Sequence, residues 1–257
     1  MVDVKINGET IKGIELFVFD KDGTLMDLYL YWRSMIALRA ERLCLFYGLD
    51  IDEHKENLMD AMGIDVPGER LKPEGPVGLL PRAIVQKAAE DYLINCGCED
   101  VSSVCFRVFE EVDDASVSLL DKFIQPLEGA VDLVRKIKEN GCKVAIATTD
   151  RTERAKLAMK FLDMDEFVDI VIGADKVQNS KPSPEMLTSI GSALGTAPGE
   201  SIMVGDAKTD VQMGINADFK ASVGVCSGLA SREVLSSLTP YVIEDVSEIH
   251  LEPVPKG

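Results

Sequence analysis

Apolar and polar positions along this chain change rhythm twice. In the opening segment, Val2 to Ile6 and Thr10 to Ile14 flank Asn7-Gly8, a strong two-residue hairpin signal that predicts a small β-extension. The run Ile14 to Phe19 follows, β-rich and almost uncharged, as expected of a strand covered on both faces of a parallel sheet. From Met26 to about Gln125 the spacing turns helical. A helix led by Leu28-Tyr29-Leu30-Tyr31-Trp32 runs to about Tyr47, where Gly48 is placed to end it, and shorter helices cover Asp52 to Met62, Pro81 to Asn95 and Val101 to Phe123. This predicts an all-helical insert. Within it, Gly63 to Leu80 is rich in Gly and Pro, including Pro67-Gly68 and Pro73-Glu74-Gly75-Pro76, and reads as a long ordered loop or a lid segment.

Beyond the insert, Pro126-Leu127-Glu128-Gly129 opens a helix to about Asn140, with Gly141 placed to cap it. Strand and helix then alternate: Lys143 to Ala147, Arg151 to Leu162, Val168 to Ile172, Pro184 to Leu194, Ser201 to Val204, Thr209 to Ile215, Phe219 to Val225 and Tyr241 to Ile243. That alternation predicts an α/β, doubly wound (Rossmann-like) parallel sheet built from residues 1–26 and 126–257, with 27–125 as the helical insert. Repeats and low-complexity tracts are absent.

Composition narrows the partners. With 44 acidic against 27 basic residues the formal charge is −17, which argues against non-specific binding to nucleic acid or to anionic membrane surfaces. An acidic exterior would repel phosphate esters at long range, so any phosphate site must supply its own positive charge. The six cysteines show no zinc-like pairing of CxxC units, and Cys96-Gly97-Cys98 reads as a reduced thiol pair near a helix end. Asp3, Lys5 and Glu9 stand where an apolar signal core would lie, and no apolar run approaches a membrane span, so a cytoplasmic protein is expected.

The chemistry concentrates at run ends. Phe17-Val18-Phe19 leads into Asp20-Lys21-Asp22-Gly23-Thr24, where Gly23 permits a sharp exit and two carboxylates lie two residues apart. Two such carboxylates need a cation or a shared proton to coexist, and a bound Mg2+ would answer that need. Val144 to Ala147 runs into Thr148 and Thr149; Ser180-Lys181-Pro182 follows Val168 to Ile172; Ile202-Met203-Val204 runs into Gly205-Asp206-Ala207-Lys208-Thr209-Asp210. In an open parallel sheet the strand ends share one edge, where ligands bind. A nucleophile, a hydroxyl donor, a cation and extra carboxylates are thereby predicted to converge, a set suited to phosphoryl transfer.

These four fragments, in order, resemble the motifs of the haloacid dehalogenase-like hydrolases, in the subfamily of phosphoglycolate phosphatases and β-phosphoglucomutase with a helical cap. Lys21 departs mildly from the pattern, since that position is more often apolar. The resemblance implies that Asp20 attacks phosphorus to form an aspartyl-phosphate and that Asp22 is the general acid and base. It implies that Thr148 donates a hydroxyl to the phosphoryl group, and that Lys181 neutralises charge and restrains Asp20. Mg2+ would be held by the Asp20 carboxylate, the Asp22 main-chain carbonyl and Asp206, with Asp210 in support. Backbone amides near Gly23 and Thr149 are candidate anion donors, and Arg33, Arg70, Lys72 and Arg82 of the cap are candidate contacts to the substrate's distal group. His54 and His250 receive no part.

The reaction so implied is Mg2+-dependent hydrolysis of a small phosphorylated metabolite, phosphoglycolate-like or a sugar phosphate. An acid at position 22 favours a phosphatase or phosphomutase over a dehalogenase or phosphonatase. A mutase of the β-phosphoglucomutase type is the alternative within the family, and a catalytically idle scaffold that binds a partner through its cap is the alternative of another class. The oligomeric state, monomer or dimer, is left open.

Overall fold

The computed structural model describes residues 1–72, 74–78 and 80–254. Pro73 and Leu79, both in the Gly- and Pro-rich stretch of the insert, lie outside the described residues. The chain divides into two compact units, Met1–Asp27 with Gln125–Gly257, and Leu28–Ile124.

The first unit opens with β1 (Val2–Ile6), β2 (Glu9–Ile14) and β3 (Leu16–Phe19). Asn7 and Gly8 both take positive φ, 52° and 80°, the conformation a two-residue hairpin between right-twisted strands requires. The second unit contributes α1 (Leu28–Tyr47), α2 (Ile51–Ala61), β4 (Ile64–Asp65), β5 (Arg70–Leu71), α3 (Arg82–Asn95), α4 (Val101–Ser118) and α5 (Leu120–Phe123). The first unit resumes with α6 (Ala130–Glu139), β6 (Lys143–Ala147), α7 (Thr152–Phe161), β7 (Ile170–Ile172), α8 (Glu185–Leu194), β8 (Ser201–Gly205), α9 (Lys208–Asn216), β9 (Ala221–Val225), α10 (Arg232–Ser236), β10 (Val242–Ile243) and β11 (His250–Pro253).

Six strands form one parallel sheet in the order β10-β9-β8-β3-β6-β7. All four residues of β3 are fully buried, which explains why the strand reads as a continuous apolar run without alternation. α6 shows the helical counterpart: Ala130, Leu133, Val134 and Ile137 recur at helical spacing and form its buried face. Each fully buried Leu, Val or Ile contributes about 1.5–3 kcal/mol relative to exposure. From β3 the chain moves outward through β6 to β7, then crosses back to β8 and outward through β9 to β10. The direction reverses between β3 and β8, and a crevice outside the carboxyl ends of a parallel sheet forms at such a reversal.

The structure adds three features to the predicted outline. The N-terminal hairpin is part of a three-stranded antiparallel sheet, because β11 pairs with β1. The helical unit is not purely helical, since Ile64 and Asp65 pair antiparallel with Leu71 and Arg70 inside the Gly- and Pro-rich stretch. The helix expected over Val101 to Phe123 breaks at Leu119, whose φ of −112° separates α4 from α5. In α2, Asp50 caps the helix as its Oδ1 accepts from the Asp52 and Glu53 amides at 2.9 and 3.2 Å. Trp32 packs against the apolar core of the helical unit and meets Tyr31 edge-on at 5.1 Å. Among the described residues no helix is long and apolar enough to cross a membrane.

Candidate active site

Sheet register brings the chemistry together. Phe19 is paired with Ile146 on one side and Val204 on the other, so Asp20, Thr148 and Asp206 emerge at nearly one level on the carboxyl edge. The Asp20 amide donates to Val204 O at 2.9 Å, and the Thr148 amide donates to Ile172 O at 3.0 Å, fixing both backbones as their strands end.

Lys181 links the acids. Its Nζ donates to Asp20 Oδ1 at 2.5 Å and to Asp210 Oδ1 at 2.7 Å, with side chains only 3%, 10% and 2% exposed. Asp210 also serves the start of α9, where its Oδ2 accepts from the Ala207 amide at 3.0 Å while its own amide donates back to Ala207 O. Asp206 is held from two directions: Thr24 Oγ1 donates to Oδ1 at 3.2 Å and the Leu229 amide donates to Oδ2 at 2.9 Å. Carboxylate oxygens of Asp20, Asp206 and Asp210 all lie within 4.8 Å of one another.

Three buried carboxylates cluster where one ammonium touches two of them, and Asp20 and Asp206 show the imbalance. Burial pushes the Asp20 carboxyl up to about 7; Lys181 pulls against this, and Asp210 and Asp22 add to it. Burial, then Asp20 and Asp210, push Asp206 well above the ordinary carboxylate range. Burial works against the Lys181 ammonium, but Asp20 and Asp210 outweigh it and hold the group above its ordinary value. Both partners of one ion pair rise: burial outweighs Lys181 at Asp20, and two anions outweigh burial at Lys181. The group is short of positive charge, and its donors are hard carboxylate oxygens. It fits a hard divalent cation such as Mg2+.

Thr148 is fully buried, and its Oγ1 accepts from the Asp150 amide at 3.1 Å, which leaves the hydroxyl proton to donate. Thr149, in the same turn, is exposed. The Asp22 carboxylate lies outside the acidic trio; Lys21 Nζ donates to its Oδ1 at 2.6 Å, and the side chain is 26% exposed. Gly23 adopts φ +83°, and a Cβ there would come 2.6 Å from Asp206 Oδ2. The turn therefore requires both the left-handed backbone and the missing side chain.

The four basic residues singled out in the insert lie in the helical unit. Arg82 pairs with Glu110 at 2.5 Å and Asp113 at 3.2 Å, Arg70 with Asp65 at 2.9 Å, and Lys72 with Asp60 at 2.5 Å. Arg33 is exposed on α1. Asp113 also holds the buried Arg39 at 2.5 Å, which lies over the Phe109 ring at 4.3 Å. Cys96 and Cys98 carry unpaired thiols.

The loop after β9 escaped the sequence reading. Ser227 Oγ donates to Gly23 O at 2.7 Å, Leu229 holds Asp206, and a Cβ on Gly228 would collide with the Asp206 side chain. The signal was available, because Cys226-Ser227-Gly228 follows the apolar run ending at Val225 as Asp206 follows its own.

Comparison with known proteins agrees with this geometry. The family pattern described as "haloacid dehalogenase-like hydrolase" matches residues 14–218. Pyrophosphatase PpaX of Halalkalibacterium halodurans is 42% identical over 130 residues, covering 50% of this chain and 60% of that protein. Pyrophosphatase PpaX of Bacillus mycoides is 32% identical over 146 residues, covering 56% and 65%. The matched region thus spans less than two thirds of either relative. A crystal structure described as a predicted phosphoglycolate phosphatase from Haemophilus somnus 129pt shares the fold, with TM-score 0.64, 16% identity, and coverage of 91% of this chain and 96% of that one.

Proposed function

The chain belongs to the haloacid dehalogenase-like hydrolases, and from that premise we propose that it is a Mg2+-dependent phosphatase acting on a small phosphorylated metabolite through an aspartyl-phosphate on Asp20. One observation carries the reading: the buried Asp20 carboxylate lies 2.5 Å from Lys181 Nζ, inside a trio of carboxylates at the sheet's switch point. Phosphate esters resist attack because their charged oxygens repel a nucleophile, so catalysis rests on neutralisation and alignment.

In the first half-reaction an Asp20 oxygen bonds to phosphorus while the bond from phosphorus to the leaving oxygen breaks. Asp22 delivers a proton to that oxygen. In the second, water attacks the phosphorus of the aspartyl-phosphate, Asp22 takes the water's proton, and phosphate leaves with Asp20 regenerated. Lys181 neutralises charge on the transferring group and restrains Asp20; Thr148 donates its hydroxyl to a phosphoryl oxygen; amides near Gly23 and Thr149 add donors. Asp20 and Asp206, the Asp22 main-chain carbonyl and Asp210 in support would hold Mg2+, whose contribution is to offset the phosphoryl charge. The helical unit is assigned to substrate choice, with Arg33 and Arg82 as candidate contacts.

The substrate class includes phosphoglycolate-like esters and sugar phosphates, and the likeness to proteins named pyrophosphatase adds pyrophosphate. The test is phosphate release from a panel of these compounds with Mg2+, with Asp20→Asn as control. Selective turnover of one compound by the wild-type protein, and none by the variant, is expected. Full activity in a folded Asp20→Asn protein would overturn the reading.

A further inference from the structure

Lys21 stands between the proposed nucleophile and the proposed acid, and nothing in the mechanism uses it. Its side chain is 4% exposed, an uncommon state for lysine that requires partners for the ammonium. Nζ donates to Asp22 Oδ1 at 2.6 Å and lies 3.6 Å from Asp150 Oδ2. The root of the side chain is fixed, since Lys21 O accepts from the Leu25 and Met26 amides at 3.1 and 3.0 Å. The far end is fixed as well. Asp150 Oδ1 accepts from the Arg151 amide at 2.7 Å, Asp150 O accepts from the Ala174 amide at 3.0 Å, and the Asp150 amide donates to Thr148 Oγ1 at 3.1 Å.

We propose that Lys21 is a positioning residue that ties the Asp22 carboxyl to the Thr148 turn and so sets how well the enzyme turns over esters with poor leaving groups. The inference rests on the reading of Asp22 as acid and base. An ammonium N–H can donate to Oδ1 whether Asp22 is a carboxylate or a carboxylic acid, so the hold survives both half-reactions. With Oδ1 engaged, Oδ2 is the oxygen that carries the transferred proton. Swinging Asp22 away breaks the 2.6 Å contact with a buried ammonium, and that cost holds the side chain in place.

The consequence is a dependence on leaving group. An alkoxide departs with difficulty unless it is protonated, whereas a nitrophenolate departs without help, so placement of the acid matters for alkyl esters and little for activated aryl esters. A lysine that merely stabilised the turn would affect both alike.

The experiment compares kcat/KM for an alkyl phosphate and for 4-nitrophenyl phosphate, both with Mg2+, in wild type, Lys21→Met and Asp22→Asn. In Lys21→Met the ratio of alkyl to aryl turnover is expected to fall about 10- to 100-fold, the range for a displaced rather than deleted acid, with a larger fall in Asp22→Asn. A ratio within about twofold of wild type in Lys21→Met, beside a large fall in Asp22→Asn, overturns this inference and leaves the acid–base reading intact. An unchanged ratio in Asp22→Asn overturns that reading, and turnover of neither ester by wild type overturns both. If Lys21→Met fails to fold, as judged by circular dichroism, Lys21→Gln puts the same ratio to the same test.

Discussion

Burial of Asp20 and Asp206 in one acidic cluster makes the stability of the metal-free protein fall as pH rises, against the usual trend for carboxylates. Burial takes Asp20 from an ordinary 3.8 to about 7 in the folded chain. Below the lower value both folded and unfolded chains hold the proton. Between the two values the unfolded chain has released it and the folded chain has not, so stability drains away as pH rises, and the loss is complete above the folded value. At 1.36 kcal/mol per pH unit the whole loss is about 4 kcal/mol, of which about 2–3 kcal/mol falls between pH 5 and 8. Asp206, raised by burial and by Asp20 and Asp210, adds in the same direction. On the proposed reading a divalent cation replaces the protons, so Mg2+ is expected to stabilise more at high pH. The assay is thermal melting of wild type and Asp20→Asn, each with EDTA and with Mg2+, at about pH 5 and about pH 8. The chelated wild type should lose about 2–3 kcal/mol relative to the variant across that interval, and its gain from Mg2+ should widen. Equal pH dependence of wild type and variant in EDTA would refute the reasoning.

Three further outcomes follow from the same contacts. Lys181→Met removes the cation that touches Asp20 and Asp210, and should cost about 3–5 kcal/mol in chelated protein near neutral pH, read by denaturant melts, with at least about a hundredfold loss of phosphate release. Gly228→Ala sets a methyl group against the Asp206 side chain and should weaken Mg2+ binding about tenfold or more by calorimetric titration, with about 1–3 kcal/mol lost from overpacking. Arg82→Ala, which strips Glu110 and Asp113 of a partner, should lower the melting temperature; an effect on KM as well would mark Arg82 as a substrate contact.

What was legible in the sequence followed from run ends. Asp20, Thr148 and Asp206 each sit just past an apolar strand, and parallel pairing of Phe19 with Ile146 and Val204 brings them level. The four short fragments were readable because strand ends and Gly-rich exits leave a local signature. Contacts set by tertiary placement were not. β11 is four residues long, carries Pro253 and is mostly exposed, so only its pairing with the distant β1 marks it as a strand. The two-residue pairing of β4 with β5 is too short to impose a period. Gly228 looks like any loop glycine until Asp206 is seen against it. Lys21 read as a mild departure from an apolar position, and only the fold reveals Asp150 within 3.6 Å of its ammonium. Arg70, Lys72 and Arg82 read as candidate substrate contacts, because their acidic partners Asp65, Asp60, Glu110 and Asp113 are brought to them only by the fold of the helical unit.

The most direct test is whether Asp20 itself takes the phosphoryl group. Asp22→Asn protein, in which the second half-reaction lacks its base and the acyl phosphate should accumulate, is mixed with an aryl phosphate and Mg2+, quenched in acid, reduced with borohydride and digested for mass spectrometry. Reduction of an aspartyl-phosphate turns the aspartate into homoserine, and the expected result is that conversion at position 20 alone, dependent on substrate. Conversion at another carboxylate, or none in protein that has released a stoichiometric burst of the aryl alcohol, would contradict it.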